Sequence, residues 1–153
     1  MILLRLGVLT EPEGENRVAI VPKSVKKLTK AGFEVVIQSG AGIAASYLDS
    51  EYENYGGIIV ERNEVISAPV IISIHLPNVS ELSQGQIVAC VADPFRNPQN
   101  VQGCLDAKIV LLSMDMIPRR LSRAQSMDVN SSQDNLAGYK AVLLGAASVA
   151  RGI

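Results

Sequence analysis

The segments Val70-Ile71-Ile72 and Ile109-Val110-Leu111-Leu112 are apolar at every position. Successive side chains of a strand point to opposite faces, so strands of this kind must be covered on both. Working outward from them, short runs rich in Val and Ile recur: Ile2 to Leu9, Phe33 to Gln38, Gly57 to Val60, Val70 to Leu76, Ile87 to Val91 and Ile109 to Ser113. Helical patterns lie between. Pro22 suits a first turn, Val25, Leu28 and Ala31 share a face, and Gly32 ends that segment. Tyr47 to Tyr55, stopped by Gly56-Gly57, and Asn97 to Ala107, with Val101, Cys104 and Leu105 facing inward, read as two more helices. Strands alternating with crossover helices predict an α/β fold, an open, mostly parallel three-layer sheet of flavodoxin-like or Rossmann-like type.

With 153 residues, the chain is long enough for one domain with a substantial core. An apolar fraction of 48% against 19% charged speaks against disorder. Fifteen acidic and 14 basic residues leave a net charge of -1, which gives no electrostatic pull on nucleic acid, and without Trp there is little to stack bases on. The longest apolar stretch, Val65 to Leu76, falls far short of the ~20 residues that span a bilayer, so the chain by itself is expected to be soluble. Its apolar start is broken by Arg5 and runs into Glu11-Pro12-Glu13, unlike a secretory signal. Cys90 and Cys104 form no C-x-x-C pair and read as reduced, buried thiols of a cytoplasmic-type compartment, with no metal site expected.

The C-terminal part has a different character. From Ser131 or Ser132, either of which can cap a helix, a helical pattern runs through Leu136, Tyr139, Leu143, Ala147 and Ala150, about 30 Å at ~1.5 Å per residue. Ala141 to Ala150 carries no charge on any face, whereas a helix lying on a sheet shows a polar stripe. Residues 1–130 therefore read as the α/β domain, and 131–153 as a long helix expected to pack on a body outside this chain.

Gly40-Ala41-Gly42-Ile43-Ala44-Ala45 is a formal match to the dinucleotide-binding G-x-G-x-x-A, with Glu61 about twenty residues on. The following stretch, Ser46 to Gly56, is short and carries Asp49, Glu51 and Glu53, a poor start for a helix that should receive a pyrophosphate. We read these glycines as an ordinary turn.

Two polar segments remain. Glu11, Glu15, Asn16, Arg17, Val18, Ala19, Pro22 and Val25 form E-x-x-x-E-N-R-V-A-x-x-P-x-x-V, in which Arg17 alone reads as a surface ion-pair partner. From Pro118 the chain runs Pro-Arg-Arg-Leu-Ser-Arg-Ala-Gln-Ser-Met-Asp-Val-Asn-Ser-Ser-Gln-Asp-Asn-Leu-Ala-Gly-Tyr. A loop at the carboxyl end of a parallel strand is where α/β folds usually place ligands. Gln125 can both donate to and accept from a carboxamide, Asp128 can take its N–H or orient an arginine, and Arg120 can fix the loop or face phosphate. A hydrogen-bonded loop capping a helix would use the same residue types.

Together these segments resemble the family comprising alanine dehydrogenase and the alpha subunit of proton-translocating NAD(P) transhydrogenase, in its N-terminal domain. The stretch Ser122 to Asp128, followed by Ser131-Ser132 and Asn135-Leu136-Ala137-Gly138-Tyr139, is similar to the transhydrogenase branch. The resemblance implies that Arg120, Gln125, Asp128 and Ser131 contact the nicotinamide end of NAD(H), which a following Rossmann domain outside this chain would hold. Hydride would then pass to NADP(H) on a partner component beside a membrane proton channel. A second arginine after Pro118 makes Arg119 an alternative to Arg120. The implied setting is a homodimeric component in the cytoplasm, peripheral to the inner membrane.

The lysine and histidine expected of alanine dehydrogenases are missing from Ile74-His75-Leu76-Pro77 and Ala92-Asp93-Pro94-Phe95. In the motif around Arg17, Val21 replaces the Ser or Thr that the family has before its proline. Two other readings compete. One is an amino acid dehydrogenase fragment in which His75 or Arg17 contacts a small carboxylate. The other is a non-catalytic module dimerising through Ser132 to Ala150.

Overall fold

The computed structural model describes residues 4–149, so the start of the first strand at Ile2 and the end of the last helix at Ala150 lie outside the described residues. The chain forms two compact units, Met1–Ser113 and Met114–Ile153.

In the first unit, β1 (Leu4–Val8), β2 (Phe33–Gln38), β3 (Ile58–Val60), β4 (Val70–His75), β5 (Ile87–Val91) and β6 (Val110–Ser113) make one sheet. Their order is β3-β2-β1-β4-β5-β6 and every pairing is parallel. The sheet is thus wholly rather than mostly parallel, and its order is that of a Rossmann fold, not a flavodoxin.

Four helices cover it: α1 (Pro22–Lys30), α2 (Asp49–Asn54), α3 (Arg62–Ile66) and α4 (Pro98–Asp106). Val35 and Ile37 of β2 pack with Val25 of α1 and Tyr52 of α2, whereas Val36 between them joins the core of Val65 from α3 and Cys104 from α4. The alternation of a strand therefore feeds two cores, one per face, which explains why the strands are apolar throughout. Tyr52 is fully buried, and its hydroxyl donates to the Ile20 carbonyl at 3.0 Å. Gly7 of β1 lets α3 approach closely, because a Cβ there would lie 2.7 Å from the Val65 carbonyl oxygen.

Three expectations need correction. The sequence reading placed no helix between its runs Gly57 to Val60 and Val70 to Leu76, yet α3 lies there with Val65 as its buried residue; five residues are too short to show a helical period. In α4 only Cys104 is buried, while Val101 and Leu105 are exposed, since this helix lies near the sheet edge beside β6. The third concerns the last helix.

In the second unit, α5 (Val129–Ser148) follows short 3-10 turns at Met114–Met116 and Gln125–Met127. It starts before either serine, because Asp128 is the N-cap and accepts from the Ser131 N–H at 3.0 Å. Every residue from Ser131 to Val149 is exposed. Leu136, Tyr139, Val142 and Leu144 are each more than half accessible, an apolar surface that matches the lack of charge. Among the described residues, no helix is long and apolar enough to cross a membrane.

Candidate functional site

The second unit holds the loop that bears Arg120, Gln125, Asp128 and Ser131. Asp128 organises its end: one carboxylate oxygen takes the Ser131 N–H and the other the Ser131 hydroxyl at 2.5 Å. These bonds, the hydroxyl's first, hold the Asp128 carboxyl below its ordinary range. Arg119 lies beside this cap, its Nε 3.8 Å from Asp128 and its Nη2 3.3 Å from Asp134 on the next turn of α5. Arg119, Asp128, Ser131 and Asp134 thus form one cluster. Arg120 and Gln125 are not part of it, and both side chains are exposed. Gln125 enters the loop only through its backbone, its N–H donating to the Leu121 carbonyl at 3.2 Å.

The first unit has a second cluster, at the carboxyl ends of β1 and β4 where the strand order reverses. The Glu11 carboxylate accepts the backbone N–H groups of Ile74 (2.5 Å) and His75 (3.0 Å), tying the loop after β1 to the end of β4. Glu15 accepts from Arg17 through Nε (2.8 Å), Nη2 (2.6 Å) and the backbone N–H (3.0 Å), and lies 3.0 Å from His75 Nε2. With the Arg17 bonds as the main cause, the Glu15 carboxyl is lowered to about 2. Arg17 and His75, the two groups expected to hold a small carboxylate in an amino acid dehydrogenase, both face a carboxylate of the chain itself. The roles of Glu11 and Glu15 escaped the sequence reading, although their spacing was visible in the motif.

The glycine match resolves into packing. The Gly40 N–H, which a pyrophosphate would use, donates to the Asp49 carboxylate at 3.0 and 3.1 Å. A Cβ at Gly42 would lie 2.7 Å from the Tyr52 ring and 2.9 Å from Tyr47, so glycine is required there by the core. Ile43–Ala45 is a 3-10 turn rather than the start of a long helix. Nor does the loop after β1 offer a phosphate cradle, since it carries Glu11, Glu13 and Glu15.

Known proteins resemble this chain over most of its length. An NAD(P) transhydrogenase alpha subunit segment of Rhodospirillum rubrum is 38% identical over 148 residues, covering 90% of this chain and 38% of that protein. Alanine dehydrogenase 1 of Staphylococcus aureus is also 38% identical, but over 69 residues, 45% of this chain and 18% of that protein. The solved transhydrogenase of Sinorhizobium meliloti superposes with a TM-score of 0.90 at 36% identity, over 96% of this chain and 45% of that one. The chain thus spans less than half the length of the relatives it matches. A family model described as alanine dehydrogenase/PNT, N-terminal domain, matches residues 7–137, and the chain belongs to that family.

Proposed function

We propose that this chain acts as the N-terminal domain of an NAD(P) transhydrogenase alpha subunit and supplies one wall of a cleft for NAD(H). The observation that carries this reading is the loop of the second unit. Its end is fixed by the Asp128 cap and by Arg119, while Arg120 and Gln125 face solvent. The residues suit the nicotinamide end of a dinucleotide. Gln125 can donate to and accept from a carboxamide, Arg120 adds an unspent guanidinium, and the fixed Asp128 holds the loop in register. They do not suit the whole cofactor, because the glycine turn of this chain is filled by Asp49.

The dinucleotides supply the hydride chemistry when bound, and the side chains supply position and exclusion of water. Gln125 and Arg120 would hold the ring so that its reactive face meets the NADP(H)-binding partner, with Ser131 completing the contact beside Asp128. No side chain of the loop needs to move a proton. The remaining NAD-binding domain, the NADP-binding and membrane subunits and a second alpha subunit are the partners this role requires, and it would place the chain in the cytoplasm at the inner membrane. The exposed apolar residues of α5 support contact with the following domain.

The test uses the complete alpha subunit assembled with its partners. Replacing Gln125 by Asn, which retracts the amide by about one bond, is expected to lower hydride transfer on the order of a hundredfold, with the fold unchanged by circular dichroism. An unchanged rate would exclude the role.

A further inference from the structure

We propose that Arg119 is a positioning residue for the loop that faces the nicotinamide and that Asp134 is its anchor on α5, an assignment that rests on the transhydrogenase reading. Both act on the arc of residues 120–127 without touching the dinucleotide.

The loop is tied at its base twice. Asn130, in the first turn of α5, donates from Nδ2 to the Asp115 carbonyl at 3.0 Å, which brings the two flanks of the loop together. Inside that tie Arg119 spans two carboxylates, its Nε 3.8 Å from Asp128 and its Nη2 donating to Asp134 at 3.3 Å. A guanidinium is a planar fork whose donors point in fixed directions, so contact with two acids sets its orientation as well as its place. Bonds within the arc are local: the Ala124 N–H donates to the Leu121 carbonyl at 2.8 Å and the Met127 N–H to the Ala124 carbonyl at 2.9 Å. They shape the turn and do not attach it to α5. Within the arc only Ala124 is buried, and a methyl group gives little hold, so the base determines where Arg120 and Gln125 lie.

The same contacts sort the two arginines after Pro118. Arg119 is spent on acids of its own chain, which leaves Arg120 for the cofactor. The side chains of Arg119 and Asp134 are 52% and 71% exposed, and a pair in water adds little to folding stability. Its consequence falls on the geometry of the loop, where ~1 Å of misplacement can cost about a hundredfold in rate.

The test uses the complete alpha subunit assembled with its partners. Arg119→Gln is expected to lower kcat for hydride transfer about tenfold while KM for NADH stays within about twofold, since a displaced ring still binds through the rest of the cofactor. Asp134→Asn should act similarly, and the double variant should be no slower than either single one, because both changes cut the same tie. Arg119→Lys, which keeps the charge without the fork, should recover part of the rate. Amide exchange at residues 120–127 should be faster in Arg119→Gln, with or without nucleotide. An unchanged kcat in Arg119→Gln, single effects that multiply in the double variant, or unaltered exchange over the arc would each overturn the assignment. Measured alongside, Gln125→Asn separates the two failures: a loss there with none in Arg119→Gln sinks the positioning role alone, whereas unchanged rates in both sink the transhydrogenase reading beneath it.

Discussion

Single side chains carry the clearest consequences. Asp128 accepts two bonds from Ser131, and loss of such a cap typically costs about 1 kcal/mol. We therefore expect Asp128→Ala to fray the first turn of α5, seen as faster amide exchange at Ser131 and Ser132, and Asp128→Asn to restore most of the protection. Glu15 makes acid stability predictable. Its carboxyl is lowered from 4.5 to about 2 in the folded chain, so it stabilises the fold above pH 4.5, and that contribution is lost as pH falls toward 2. Urea unfolding at several pH values should show this loss, and Glu15→Gln should flatten the curve between those limits. Of these residues, the cap at Asp128 was not legible, because Ser131 and Ser132 offer the same capping chemistry, and the partners of Glu15 were hidden because the spacing of a motif names residues without showing what their side chains face.

Elements follow the same division. β2 and β5 run over Phe33–Gln38 and Ile87–Val91 just as the sequence reading placed them, because strands apolar on both faces end abruptly at polar or glycine residues. The five-residue α3 was missed because so short a helix shows no period, and the two serines at 131 and 132 drew attention from the aspartate that caps α5. Packing between β1 and α3 gives a prediction. Gly7→Ala would place a Cβ 2.7 Å from the Val65 carbonyl oxygen, an overpacking that should cost roughly 1–3 kcal/mol by chemical denaturation. Were the variant as stable as the parent, the close approach of β1 and α3 would be wrong.

For the whole molecule, the α/β class and the long last helix could be read directly, whereas the step from loop to ligand could not, because Arg120 and Gln125 face solvent and a sequence does not show what meets them there. The turn at Gly40 and the loop after β1 offer no berth for phosphates, the first being filled by Asp49 and the second lined with glutamates. We expect calorimetry of the 153-residue chain with NADH to show no measurable binding, and the complete subunit to bind it. Tight binding by the short chain would require a nucleotide site that the fold does not show. The uniform direction of the six strands has a practical consequence. Leu4 enters the sheet at the rim opposite to the one bearing Glu11 and His75, so an affinity tag or fluorophore attached upstream of β1 would leave the other rim clear. Immobilised that way, the molecule would present that rim to the flow.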